Sequence, residues 1–323
     1  MRFCLDTPNS YLQLGINKTT LYRYLEKHDI KEKIVKTHTS AMEMNLLSVI
    51  SNLGFNVLAN KRNIIPPLEI DLYIPDIKVA IECNGVFWHS DNNGKDRNYH
   101  VNKLLRCEEQ GIQLLNIFDY EYDNFYEIVI ARLSAKLGVN ANTVYARNTS
   151  VVIVNNTDEK EFLNKTHIQQ YAKSNICFGL MHDNKLVAVM SFIKSRFNSD
   201  CEWELLRYSS IGRCVGGMSK LFAHFVRTNM PMSVVTYADR NWNSGNSYKH
   251  LGFNHSHNSS PNYFYTRNYR IFESRLKYQK HKLEEILPLF DNNLSEWENM
   301  KNNGYDRIWN CGNKVYKWKY NEL

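Results

Sequence analysis

A chain of 323 residues is too long for one ordinary hydrophobic core and is sized for two or three domains. At 43% hydrophobic and 13% aromatic residues it is neither collagen-like nor disordered, and a formal net charge of +7 favours a polyanionic partner. Seven scattered cysteines without a C-x-x-C pair argue against a disulfide framework and a zinc cage, and no run approaches about 18 uninterrupted apolar residues, so a cytoplasmic protein without membrane contact is expected.

Residues 1–38 read as a small helical unit. Gly15 ends a short helix and Asn17 can cap a second, in which Leu21 and Leu25 lie one turn apart. Gly15-Ile16-Asn17-Lys18-Thr19-Thr20-Leu21-Tyr22-Arg23 resembles the turn and recognition helix of helix-turn-helix proteins, with Lys18, Thr19, Thr20 and Arg23 on the exposed side as DNA contacts. An ordinary helical hairpin is the other reading. A helix over 42–53 then carries Leu46, Leu47, Ile50 and Leu53 on one face and stops at Gly54. Pro75-Asp76 marks a turn between strands at 68–74 and 78–84. A polar loop over 90–97, a helix over 99–110 ended by Gly111, a buried strand at 112–118 and a helix to 137 complete an α/β unit.

The chemistry concentrates at Ile70-Asp71 and Ile81-Glu82-Cys83-Asn84-Gly85-Val86-Phe87-Trp88-His89. Strand alternation sets Glu82 and Asn84 on one face, and Asp71 on the neighbouring strand can reach the same face. Asp71 and Glu82 are therefore candidate ligands for a hard divalent cation, Mg²⁺ or Mn²⁺. On the helix that follows, His100 and Lys103 share a face, with Arg106 a turn further on. They read as a proton-transfer and phosphate-neutralising pair, or else as a solvated basic face.

Glu43, Asp71, Glu82-Cys83-Asn84 and Phe87-Trp88-His89 together resemble the very short patch repair endonuclease fold, a branch of the PD-(D/E)xK nucleases, and more closely the phage homing endonucleases of the EDxHD type. The resemblance implies Asp71 as principal metal ligand, the main-chain carbonyl of Cys83 as a second, His89 as the base that activates water and Glu43 as the orienter of a metal-bound water. It also implies that Phe87 and Trp88 press into DNA, the other reading being core aromatics; Phe87 reads rather as core, and for Trp88 both readings stay open. Asn84 stands where the family carries histidine or lysine, Glu82 replaces an apolar residue, and the family's zinc ligands are missing, so no structural zinc is expected.

After Asn140 the pattern restarts. Strands are expected near 143–155, at 176–181, 185–194, 203–208 and 233–237, with helices around Glu161, over 219–227 and over 244–251. The hairpin through Gly179 to Phe192, the Arg213-Cys214-Val215-Gly216-Gly217-Met218 loop and Asn246-Ser247-Tyr248-Lys249-His250-Leu251-Gly252-Phe253 resemble the core of GNAT-type N-acyltransferases. There the loop offers backbone N–H groups at a helix N-terminus to a pyrophosphate, but Met218 occupies its last small-residue position. The expectation is thus a GNAT-like domain that contacts DNA phosphates through Arg213, Lys220 and Arg240 instead of binding acyl-CoA, aided by the basic run at 275–282.

The fold class expected is multidomain α/β: a helix-turn-helix segment (1–38), a Vsr-like restriction-endonuclease-type core (39–140) and a GNAT-like α+β domain (141–323). The function expected is a site-specific, Mg²⁺-dependent endonuclease acting on double-stranded DNA. The alternative is an acyl-CoA-dependent N-acyltransferase with an N-terminal targeting module.

Overall fold

In the computed structural model the described residues are 40–139, 142–269 and 271–320, so the helix-turn-helix reading, with Lys18, Thr19, Thr20 and Arg23, falls outside them. Two compact units are distinguished, Met1–Leu46 and Leu47–Leu323. Helix α1 (Ala41–Asn52) buries Leu46 and Ile50, one turn apart, and gives way to Gly54, whose φ of +90° is a turn that glycine adopts without strain.

In the second unit, β1 (Leu58–Ile65), β2 (Leu68–Ile74), β3 (Val79–Asn84) and β4 (Gln113–Phe118) form a sheet in that order. The first three strands are antiparallel; β3 and β4 run parallel, joined across α2 (Tyr99–Glu109). The sequence shows why: β2 buries Ile70, Leu72 and Ile74 at period two, as a strand with one covered face does, whereas β4 is buried along nearly its whole length. Helices α3 (Asp119–Asn124) and α4 (Tyr126–Lys136) follow.

The larger sheet has seven strands in the order β12-β16-β11-β9-β8-β7-β6. Its members are β6 (Ser150–Ile153), β7 (Ile176–His182), β8 (Lys185–Lys194), β9 (Trp203–Ser210), β11 (Ser233–Asp239), β12 (Asn254–Asn258) and β16 (Asn313–Lys319). All neighbours pair antiparallel except β9 and β11, which are parallel and joined through β10 (Arg213–Val215) and α6 (Gly217–Asn229). β10 pairs with the short β5 (Thr143–Tyr145). Helix α5 (Asn156–Thr166) precedes β7, and its first turn is capped by the Asn155 side chain. Helix α6 lays Leu221, Phe222 and Phe225 on the sheet, where the Phe225 ring stacks on Phe192 at 3.6 Å. A three-stranded sheet, β14 (Ile271–Ser274), β13 (Tyr263–Arg267) and β15 (Asp306–Trp309), completes a mixed α/β fold with several sheets.

Residues on the two sides of position 140 are tied together. The Asn116 N–H of β4 donates to the Asn241 carbonyl, Cys311 belongs to the hydrophobic cluster of Ile70 and Leu114, and Arg240 pairs with Glu108. Among the described residues no helix is long and apolar enough to cross a membrane.

Three segments differ from, or add to, what the sequence suggests. β1 carries no strand signal in the sequence, because Asn60, Lys61, Arg62 and Asn63 are exposed on a sheet edge. The stretch 143–155 is two strands broken by a short turn at Ala146–Asn148. The basic run at 275–282 forms two single turns, Arg275–Tyr278 and Lys280–Lys282.

Candidate functional site

The register of β2 against β3 sets Leu72 opposite Ile81, which brings Asp71 beside Glu82. The Asp71 carboxylate accepts the Cys83 N–H at 2.7 Å, and Glu82 accepts the Asp71 N–H at 3.4 Å. Lys103, from α2, forms an ion pair with Glu82, and both are buried. Two carboxylates thus face one ammonium. Burial, reinforced by the Asp71 charge, pushes the Glu82 carboxyl up to about 8, while the carboxylates hold Lys103 protonated against its own desolvation. His89 and His100 stack with ring centroids 5.1 Å apart; burial lowers His89 to about 3 and holds His100 well below the usual histidine range, so both rings are neutral. The buried Asn84 amide donates to Asn116 at 3.1 Å.

The sheet and α2 therefore bring together Asp71, Glu82, His89, His100 and Lys103. Other candidates are placed differently. Glu43 is buried on α1, in the first unit. Trp88 is 69% exposed, and Phe87, expected in the core, is 43% exposed because its ring packs edge-on between Trp88 and Tyr269 at the surface. Arg106 donates to the Pro66 carbonyl. Of the expected phosphate contacts, Arg213 is exposed, Lys220 is turned onto the Ala146 and Thr149 carbonyls, and Arg240 is buried between Glu108 and the Cys311 carbonyl. The last two are thus committed within the protein.

A second constellation lies in the large sheet. β9 and β11 pair at Trp203–Val234, Glu204–Val235 and Leu205–Thr236, after which their ladder stops although both strands continue. The Thr236 hydroxyl donates to the Leu205 carbonyl at the point of divergence, and one Arg207 N–H donates to the Leu206 carbonyl just beyond. A cavity of about 440 Å³ opens there. Its walls include Leu206 to Ser210 of β9, Tyr237 and Asp239 of β11, Met218 at the start of α6 and Tyr248 of α7 (Asn246–Lys249). Arg132 and Lys136 reach it from α4, and His167 from the end of α5.

The charges are uneven. Burial pushes the Asp239 carboxyl up, opposed by the Asn241 N–H and the Arg132 charge, and it pushes the Tyr248 hydroxyl up as well. Lys136 falls to about 8 through burial and the Arg132 charge, and His167 is held neutral by burial. Arg132 lies 4.4 Å from the Trp242 ring, and its buried Nη1 has no hydrogen-bond partner among the described residues. Sequence reasoning missed Arg132 and His167. The available signal was an arginine in the apolar stretch Ile128-Val129-Ile130-Ala131-Arg132-Leu133.

No family model matches this chain, and no curated protein does. Among solved structures it is similar to a GNAT family acetyltransferase from Elizabethkingia anophelis with acetyl-CoA bound, at 10% identity and a TM-score of 0.29, covering 54% of this chain and 99% of that one. The resemblance to homing endonucleases is corrected: no family model and no curated protein supports it. With it go the endonuclease and hydrolase readings and the double-stranded DNA partner. The Mg²⁺ or Mn²⁺ ion is corrected on the donors themselves, since Lys103 holds the Glu82 carboxylate and no group of three or more His, Cys, Asp or Glu side chains among the described residues is placed to hold a metal.

Proposed function

We propose that the chain is an acyl-CoA-dependent N-acyltransferase built on a GNAT-like core. The observation that carries this reading is the parting of two parallel strands, β9 and β11, beside the start of α6. Strands that separate leave main-chain groups able to pair with an extended ligand, and the amide-bearing arm of coenzyme A has that form. The N-terminus of α6 suits its pyrophosphate. Gly216, at φ +76°, begins the helix without a side-chain cap, and a Cβ on Gly217 would sit 2.5 Å from the Cys214 sulfur, so only glycine lets the chain approach β10 this closely. Met218, the departure from the small-residue pattern, lines the cavity. These features favour acyl-CoA binding over the expected DNA-phosphate contact.

Acyl-CoA, when bound, supplies a thioester carbonyl activated toward an amine. The residues at hand match the remaining needs. The amine nitrogen forms the amide bond as the carbon–sulfur bond breaks; Asp239, its carboxyl raised by burial, takes the amine proton, and Tyr248, whose hydroxyl burial keeps protonated, supplies a proton to the departing sulfur. The test is thiol release from acetyl-CoA with a panel of primary amines. Amine-dependent release is expected; its absence across the panel would overturn the reading.

A further inference from the structure

The walls of the cavity say what kind of amine fits it. Arg132, Lys136 and Arg207 supply three cations, against which Asp239 is the carboxylate among the lining residues. None of the three cations forms an ion pair within hydrogen-bonding reach among the described residues. Arg207 is held by the Leu206 and Gln170 carbonyls, which orient it without neutralising it. Arg132 keeps its buried Nη1 unpartnered, with its guanidinium carbon 4.4 Å from the centroid of the Trp242 ring. Glu121, nearby on α3, is a poor counter-charge, because burial and the Asp239 charge push its carboxyl up to about 7. A buried guanidinium N–H without an acceptor is costly, and the Arg132 charge at the cavity wall favours an anion there.

We infer that the amine accepted here carries an anionic group, a carboxylate or a phosphate, at the end away from its reacting nitrogen, held by Arg132 and Lys136 with Arg207 adding to the field. The volume, about 440 Å³, is that of a small-molecule site. Asp239 and Tyr248, which line the same cavity, then meet the reacting nitrogen.

This inference rests on the acyltransferase reading, and the test keeps the two apart. The full chain is given acetyl-CoA with β-alanine, 2-aminoethyl phosphate or ethanolamine, and binding of each amine alone is measured by calorimetry. The anionic amines are expected to show KM values at least about 10-fold below that of ethanolamine, and Arg132→Gln is expected to raise them about 10- to 100-fold, the loss of a charge-assisted hydrogen bond. Lys136→Gln, on the same helix and less deeply set, is expected to raise them several-fold and guards against a folding defect in the first variant; Arg132→Lys should restore part of the loss. Equal use of ethanolamine and the anionic amines would overturn the anionic acceptor while leaving acyl transfer standing. Should acetyl-CoA be neither bound nor consumed, the acyltransferase reading fails, and calorimetry still decides the anion site: binding of β-alanine or 2-aminoethyl phosphate that Arg132→Gln abolishes supports it, and no binding overturns it.

Discussion

Tyr248 keeps its proton because burial disfavours the phenolate. If it protonates the departing sulfur, Tyr248→Phe should lower kcat by about 10²- to 10⁴-fold with little change in KM for acetyl-CoA; a kcat within about threefold of the parent would remove Tyr248 from the chemistry. The same logic fixes the pH profile. Asp239 must be ionised to take a proton and burial raises its carboxyl, so the acid limb of kcat/KM should lie above the ordinary carboxylate range, and Asp239→Asn should abolish it. In the smaller sheet, His89 is depressed from 6.5 to about 3, which means the unfolded chain binds the proton more readily than the folded one. His89 thus contributes stability above about pH 6.5 that is lost as the pH falls toward 3. Urea midpoints measured across that window should fall less steeply in His89→Gln than in the parent, and parallel curves would contradict the assignment. The Asp71, Glu82, His100 and Lys103 group could be read from the sequence as neighbours because strand alternation and helical spacing are local rules. The lining of the cavity could not, since Arg132, His167, Arg207 and Asp239 come from four different elements whose meeting is a property of the tertiary fold.

At the scale of elements, the start of α6 carries the proposal. Gly217→Ala would drive a Cβ to within 2.5 Å of the Cys214 sulfur and 3.0 Å of the Tyr208 hydroxyl, shifting the helix start on which the pyrophosphate would rest. Overpacking of this kind costs about 1–3 kcal/mol. The variant should unfold at lower urea and bind acetyl-CoA more weakly, and unchanged affinity would separate this helix terminus from the ligand. Most strands were legible where burial is one-sided or continuous, as in β2, β3 and β4, and the turn at Pro75 was legible from its proline and the following aspartate. β1 was not, because an edge strand with an exposed Asn-Lys-Arg-Asn run owes its form to pairing with β2 and not to its own pattern. The parting of β9 from β11 was equally hidden, because which strands pair, and where a ladder ends, is a tertiary property that neither Leu206–Ser210 nor Tyr237–Asp239 shows in its own pattern.

For the molecule as a whole, the sequence suggested a boundary near 140, where the element pattern restarts. The contacts across it are extensive: Asn116 bonds to Asn241 and Cys311, Gln113 reaches the Trp242 carbonyl, and Asp91 binds Arg307 and Trp309. Residues Leu47–Leu323 should accordingly unfold in one cooperative transition, with tryptophan fluorescence and far-ultraviolet circular dichroism coincident in urea; two separated transitions would contradict this. The same packing brings α4 to the cavity, so the charge that selects the acceptor comes from a helix that precedes the large sheet in the chain. The central claim, acyl-CoA binding where β9 and β11 part, is tested most directly by calorimetric titration of acetyl-CoA into the protein. Saturable 1:1 binding with Kd below about 1 mM, the upper range of ordinary enzyme substrates, is predicted, and the absence of any saturable heat would contradict it.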